Sequence, residues 1–179
     1  MEVKVEKTAL PGVVVIEPRV FRDSRGFFTE SYNRQAFSDA GIEAEFVQDN
    51  HSLSVPAGTL RGLHFQRPPM EQAKLVRVTA GAVYDVAVDI RPGSATFGKW
   101  VGAILSAANH RQLFVPRGFA HGFCTLVPNT EVMYKVDNYY SPEHDGGILW
   151  NDPEISVEWP FTEVTLSDKD KGLPRLAEI

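Results

Sequence analysis

Polar side chains that fall where the local pattern calls for apolar ones are the first candidates for chemistry. Four short runs of this chain carry them. In Thr59-Leu60-Arg61-Gly62-Leu63-His64-Phe65-Gln66, strict alternation puts His64 on one face with Leu60 and Gln66. In Lys74-Leu75-Val76-Arg77-Val78, Lys74 shares a face with Val76 and Val78. His121 falls with Phe123 and Thr125, and Tyr134 with Val132 and Val136. Gln48 and Asn50 add a same-face polar pair after Phe46. If these faces point inward, two imidazoles, an ammonium, a phenol and carboxamides converge in an otherwise apolar cavity, the usual makings of a ligand site. An imidazole is poised to move protons near neutrality, and a cation in such a cavity acts more strongly on developing negative charge than it would in water.

Each residue also has a plainer role. A lone strand histidine is often structural, a lysine at a strand end can reach water, and a core tyrosine needs only one hydroxyl partner. Gln48 and Asn50 could simply face solvent. The joint occurrence is what argues for a site.

The donor spacing predicts no metal. A metal-binding barrel would carry two histidines one residue apart, with a glutamate and a further histidine. Here His64 is followed by Phe65 and Gln66, and His51, His110, His121 and His144 are scattered. No Gly-rich phosphate loop is present, so no cofactor is expected. The one cysteine, Cys124, sits in the apolar run Phe123-Cys124-Thr125-Leu126 and reads as a small buried hydrophobe. No serine or cysteine has the setting of an activated nucleophile.

The elements that must position these groups are many, short and β-rich. Runs bounded by Gly, Pro, Asn and Asp cover 13–17, 27–32, 46–53, 59–65, 75–79, 82–90, 100–105, 113–115, 120–126, 131–136 and 148–150. In the run 82–90, Ala82, Tyr84, Val86, Val88 and Ile90 share one face and Asp85 and Asp89 the other, which predicts a strand with one buried face. Asn33 caps a short helix over Arg34–Ala40, with Gly41 as its stop, and the tail from Ser167 starts another turn or two. Many strands and few helices predict an all-β jelly-roll barrel of two antiparallel sheets, in a single domain over 1–179. Within the tail, Ser167-Asp168-Lys169-Asp170 reads as a capping box, or as the source of a carboxylate, Asp170, that orients a histidine. Both can hold only if the tail folds back over the barrel mouth.

Composition narrows the partners. The chain has 179 residues, 43% hydrophobic and 23% charged, which is ordinary for a folded domain. A net charge of -5 and a pI of about 5.5 argue against nucleic acid as a partner. No apolar run is long enough for a membrane span, and no basic-then-apolar leader is visible, so a cytoplasmic location is the expectation.

Several blocks then coincide with one known pattern. They are Phe21-Arg22-Asp23-Ser24-Arg25-Gly26-Phe27-Phe28 with Glu30, Phe46-Val47-Gln48-Asp49-Asn50-His51-Ser52, and Leu60 to Gln66. Val115 to Phe123, Tyr139-Tyr140-Ser141-Pro142-Glu143 and Leu166 to Asp170 complete the set. In this order they resemble the dTDP-4-dehydrorhamnose 3,5-epimerase family of cupin-fold enzymes. The resemblance implies a homodimer acting on a dTDP-linked 4-keto-6-deoxyhexose, with inversion at C3 and C5. A relative that inverts only one centre is the alternative. It further implies His64 as base with Asp170 as partner, Tyr134 as acid on the opposite face of the sugar (Tyr139 second), and Lys74 beside the C4 oxygen. Arg25, Glu30, Gln48, Asn50, Arg61, His121 and Lys169 are the implied nucleotide-sugar contacts, some reaching across the dimer. Asp145 is a weaker member, because many members of the family carry Glu there. Strict alternation puts Arg61 opposite His64, and Gly62 marks the bulge that would bring both to one site.

Overall fold

Short alternating strands need a second layer to cover their apolar faces, and here they supply it to one another. The computed structural model describes residues 2–179. The chain runs through β1 (Val3–Lys7), β2 (Val14–Pro18), β3 (Val20–Asp23) and β4 (Gly26–Thr29) to a helix, α1 (Arg34–Asp39). It continues through β5 (Gln48–Ser54), β6 (Leu60–Gln66), β7 (Lys74–Ala80), β8 (Ala82–Asp89) and β9 (Trp100–Ser106). Then come β10 (Gln112–Val115), β11 (Phe119–Thr125), β12 (Thr130–Val136) and β13 (Asp145–Gly147). A one-turn helix, α2 (Asp168–Lys171), and a 3-10 turn, Leu176–Glu178, close the chain.

One sheet has the order β1-β2-β10-β7-β12-β5, the other β13-β6-β11-β8-β9, and β3 and β4 form a separate hairpin. The strand ladders are antiparallel. This is the expected all-β jelly roll with a few short helices. Its interior is filled by Val76, Val78, Val83, Ala87, Leu113, Phe123 and Val132. Further along the same inward faces stand Lys74, His121 and Tyr134.

Both sheets are also covered outside. Leu63, Val86, Val88 and Ala120 pack beneath Ile148, Ile155 and Leu176 of the C-terminal segment. Ile16 and Leu75 pack beneath Phe37 and Ile42 around α1. The expectation of a single buried face on β8 is therefore wrong. Tyr84, Val86 and Val88 face the C-terminal segment, while Asp85 and Asp89 lie fully buried on the other face.

Three further expectations are corrected. The strand read at 148–150 lies instead at β13, whose Gly146 and Gly147 pair with β6 through backbone alone. The strands β1 and β3 have no counterpart in the sequence reading. Leu60 does not share a face with His64. The register pairs His64 with His121 but Arg61 with Phe123, so β6 spends one extra residue between them. That bulge turns Arg61 to the side of His64 and Leu60 away. Gly62 sits in it at φ +136, and a Cβ there would come within 2.6 Å of Gly122 Cα. Only glycine tolerates both the conformation and the approach.

Candidate active site

The inward polar residues line a cleft of about 400 Å³ that includes Arg61, His64, Lys74, His121, Tyr134 and Asp170. A second opening of about 310 Å³ adjoins it, where Gln48, Asn50, Tyr140, Asp145 and Lys169 join His64, Lys74 and Tyr134.

The tail reaches this cleft by folding back over the barrel mouth. Ser167 caps α2, its Oγ accepting from the Asp170 N–H at 3.1 Å. The cap fixes the turn, and the turn aims the buried Asp170 side chain inward. Asp170 Oδ1 lies 2.6 Å from His64 Nε2, and Oδ2 accepts from the Gly62 N–H at 3.2 Å. The Ser167 cap and the orienting role of Asp170 thus coexist, but the reciprocal half of a capping box does not form, because both Asp170 oxygens are taken by His64 and Gly62. Burial alone would raise the pKa of Asp170, but its bonds to His64 and Gly62 and the nearby Lys169 outweigh that and hold it below the ordinary carboxylate value. An ionised Asp170 can only accept, so Nε2 carries the imidazole hydrogen and the Nδ1 lone pair is free for a proton.

Tyr134 enters from the opposite sheet, paired with Asn50 of β5 and Val76 of β7. Burial raises its pKa against the smaller pull of the Asn50 side chain and Arg61, so the phenol keeps its proton. Lys74 projects beside it, with Nζ 5.9 Å from the ring centroid. Burial lowers the Lys74 pKa to about 8, with Asp85 and Asp145 opposing. His121 Nε2 lies 2.7 Å from Asp85 Oδ1 in a second histidine–aspartate pair, its aspartate fully buried and its histidine at the cleft wall. Asp85 was hidden from the sequence reading because its face of β8 was taken as the outer one.

The remaining expected residues separate into two groups. Arg61 is held to the cleft by Ser54 Oγ and the Leu53 carbonyl, each at 3.1 Å. Lys169 is paired with Asp145, which also lies 3.5 Å from the Tyr140 hydroxyl. Gln48 donates to Asn50 Oδ1 at 2.9 Å and accepts from the Tyr140 N–H, so it braces the 139–141 loop as well as the cleft wall. Tyr139 lies outside both openings and is 62% exposed. Arg25 and Glu30 are not brought to the cleft. Arg25 sits in the β3–β4 turn region, paired with Asp23 at 2.6 Å, and its side chain is 89% exposed. Among the described residues, no cluster of three or more His, Cys, Asp or Glu is arranged to hold a metal ion. No helix among them is long and apolar enough to cross a membrane.

An imidazole, a protonated phenol from the facing sheet and a buried ammonium can together move a proton off one face of a substrate, onto the other, and stabilise the anion between. Comparison with known proteins identifies the family. A family model described as dTDP-4-dehydrorhamnose 3,5-epimerase matches residues 7–178. The enzyme of that name from Salmonella typhimurium is 58% identical over 174 residues, spanning 96% of this chain and 94% of its own. A structure of the Bacillus anthracis enzyme, with TDP and PPi bound, superimposes with TM-score 0.95 at 59% identity, covering 97% and 99% of the two chains. An epimerase from Legionella pneumophila, in complex with dTDP-4-keto-L-rhamnose, gives TM-score 0.95 at 46% identity, covering 99% and 95%.

Proposed function

From the chain's membership of the dTDP-4-dehydrorhamnose 3,5-epimerase family, which makes it an isomerase acting on carbohydrates, we propose a specific mechanism. The enzyme inverts C3 and C5 of dTDP-4-dehydro-6-deoxy-D-glucose, giving dTDP-4-dehydro-L-rhamnose, by proton transfer between His64 and Tyr134. The observation that carries this reading is the 2.6 Å His64–Asp170 contact in the same cleft as Tyr134 and Lys74.

C3 and C5 both flank the C4 ketone, so their hydrogens are weakly acidic. His64 Nδ1 takes one, the C–H electron pair moves toward C4, and negative charge collects on the C4 oxygen as an enolate. Asp170 holds the resulting imidazolium in place. The Lys74 ammonium faces the enolate oxygen, and the half-dry cavity strengthens that attraction. Tyr134 then gives its phenolic proton to the carbon from the other face, which inverts the centre. Solvent reprotonates Tyr134 and takes the proton from His64. Acid and base on opposite faces are what separate inversion from simple exchange.

Arg61, Lys169, Gln48, Asn50, His121 and Asp145 form the binding wall for the sugar nucleotide in this reading. Arg25 and Glu30 act in a homodimer, where the exposed β3–β4 hairpin of one subunit completes the cleft of the other. Support comes from the hairpin itself: Phe21, Phe27 and Phe28 are about half exposed or more, as a segment made to dock would be.

The test is NMR of the product formed from dTDP-4-dehydro-6-deoxy-D-glucose in deuterated buffer. Deuterium at both C3 and C5 with both centres inverted supports the proposal, and label at one carbon alone would assign a single-centre epimerase. Tyr134→Phe should still exchange solvent deuterium but lose inversion at one or both centres.

A further inference from the structure

Behind the cleft-lining His121 lies the carboxylate of Asp85, which the mechanism above leaves unused. It is fully buried on β8, and Oδ1 is 2.7 Å from His121 Nε2. Its Oδ2 is also buried yet has no hydrogen-bond partner. A buried carboxylate oxygen without a donor is costly and persists where something nearby favours its charge.

Lys74 is the group that would. Lys74 lines the cleft together with Tyr134 from β12, Arg61 and His64 from β6, and His121 from β11, and its Nζ lies 5.9 Å from the Tyr134 ring centroid. Asp145 of β13, with Lys169 and Asp170 of α2, borders it from the mouth. Two of the carboxylates there are already committed, Asp170 to His64 and Gly62 and Asp145 to Lys169. Among the described residues, Asp85 is the one of these carboxylates with a buried oxygen that has no hydrogen-bond partner. Burial pulls the Lys74 pKa down, and the negative charge of Asp85 opposes that fall more than that of Asp145 does. Among the described residues Lys74 makes no direct ion pair, so its N–H donors stay available to a substrate oxygen.

We propose that Asp85 is a positioning residue for the reaction: its uncommitted oxygen is the counter-charge that keeps Lys74 an ammonium inside the cavity, while His121 orients the carboxylate. This rests on the reading of Lys74 as the cation facing the enolate. An amine buried without such a counter-charge gives up its proton more readily, and a neutral amine could not stabilise the anion.

Asp85→Asn keeps an oxygen for His121 and removes only the charge. The ammonium then becomes easier to deprotonate, so the basic limb of the kcat/KM profile should move to lower pH by about one unit or more. The Lys74 side-chain resonance, followed by NMR with 13C-labelled lysine, should move with it. A merely structural role would scale activity at every pH and leave both in place. Unmoved limb and resonance, alongside an impaired Lys74→Met, overturn the Asp85 proposal and spare the Lys74 reading; an unimpaired Lys74→Met removes the reading itself. Should Asp85→Asn not fold, the wild-type resonance decides. Titration near the value of about 8 supports the counter-charge, whereas a lysine neutral throughout the neutral range, or one titrating as if in water, overturns it.

Discussion

At the residue scale, function and stability pull Lys74 in opposite directions. Its pKa falls from 10.5 to about 8 on burial, so the folded state holds the charged form less well than the unfolded state does. The difference corresponds to on the order of 3 kcal/mol. Below about pH 8 the amine is charged in both states and the full cost applies. Between 8 and 10.5 the folded chain sheds the proton first, and the cost fades as pH rises. Lys74→Met should therefore lower turnover by about 10²-fold or more. It should also unfold at higher temperature than wild type at neutral pH, an advantage that shrinks toward pH 10. Calorimetry across pH checks this, and a wild-type rate would point to a structural lysine. This residue was legible in the sequence, as were His64, His121 and Tyr134, because each broke an apolar face. Asp85 was not. Alternation tells which residues share a face but not which face is inner, and on β8 both are buried.

At the element scale, the bulge in β6 decides whether the site exists. Without it Arg61 and His64 would point to opposite sides of the sheet. Gly62→Ala should unfold the chain at lower temperature and cut activity sharply, since the new methyl would press on the backbone of Gly122. Thermal melting and turnover check both, and a fully active, equally stable variant would mean that the strand can be straightened without loss. The device was readable because the family resemblance implied Arg61 at the site, against strict alternation, and Gly62 marked where a bulge could take it there. The β13 strand was misplaced by three residues because backbone pairing leaves no side-chain signature in Asp145-Gly146-Gly147. The β1 and β3 strands were missed for a related reason. They are short, and their Lys, Glu, Arg and Asp side chains face water.

At the scale of the whole molecule, the cleft is built by pieces far apart in sequence: strands from both sheets and a tail that returns over the mouth. Closing it takes the C-terminal segment, whose Ile155 and Leu176 anchor on the outer face of the five-stranded sheet. The hairpin residues stand apart from this assembly, which is why Arg25 belongs to a homodimer in the proposed function. Arg25→Ala should raise KM for the sugar nucleotide by about tenfold with a smaller effect on kcat, as loss of a phosphate-directed contact would. Light scattering of the wild type should give a dimer mass, and a monomer with full activity would remove the hairpin from the site. The most direct test of the central claim is solvent exchange by His64→Asn, measured by NMR at C3 and C5 of the 4-keto sugar nucleotide in deuterated buffer. A base at His64 predicts no deuterium at either carbon, with dTDP still bound and the fold intact. Incorporation at a rate near that of the wild type would contradict it.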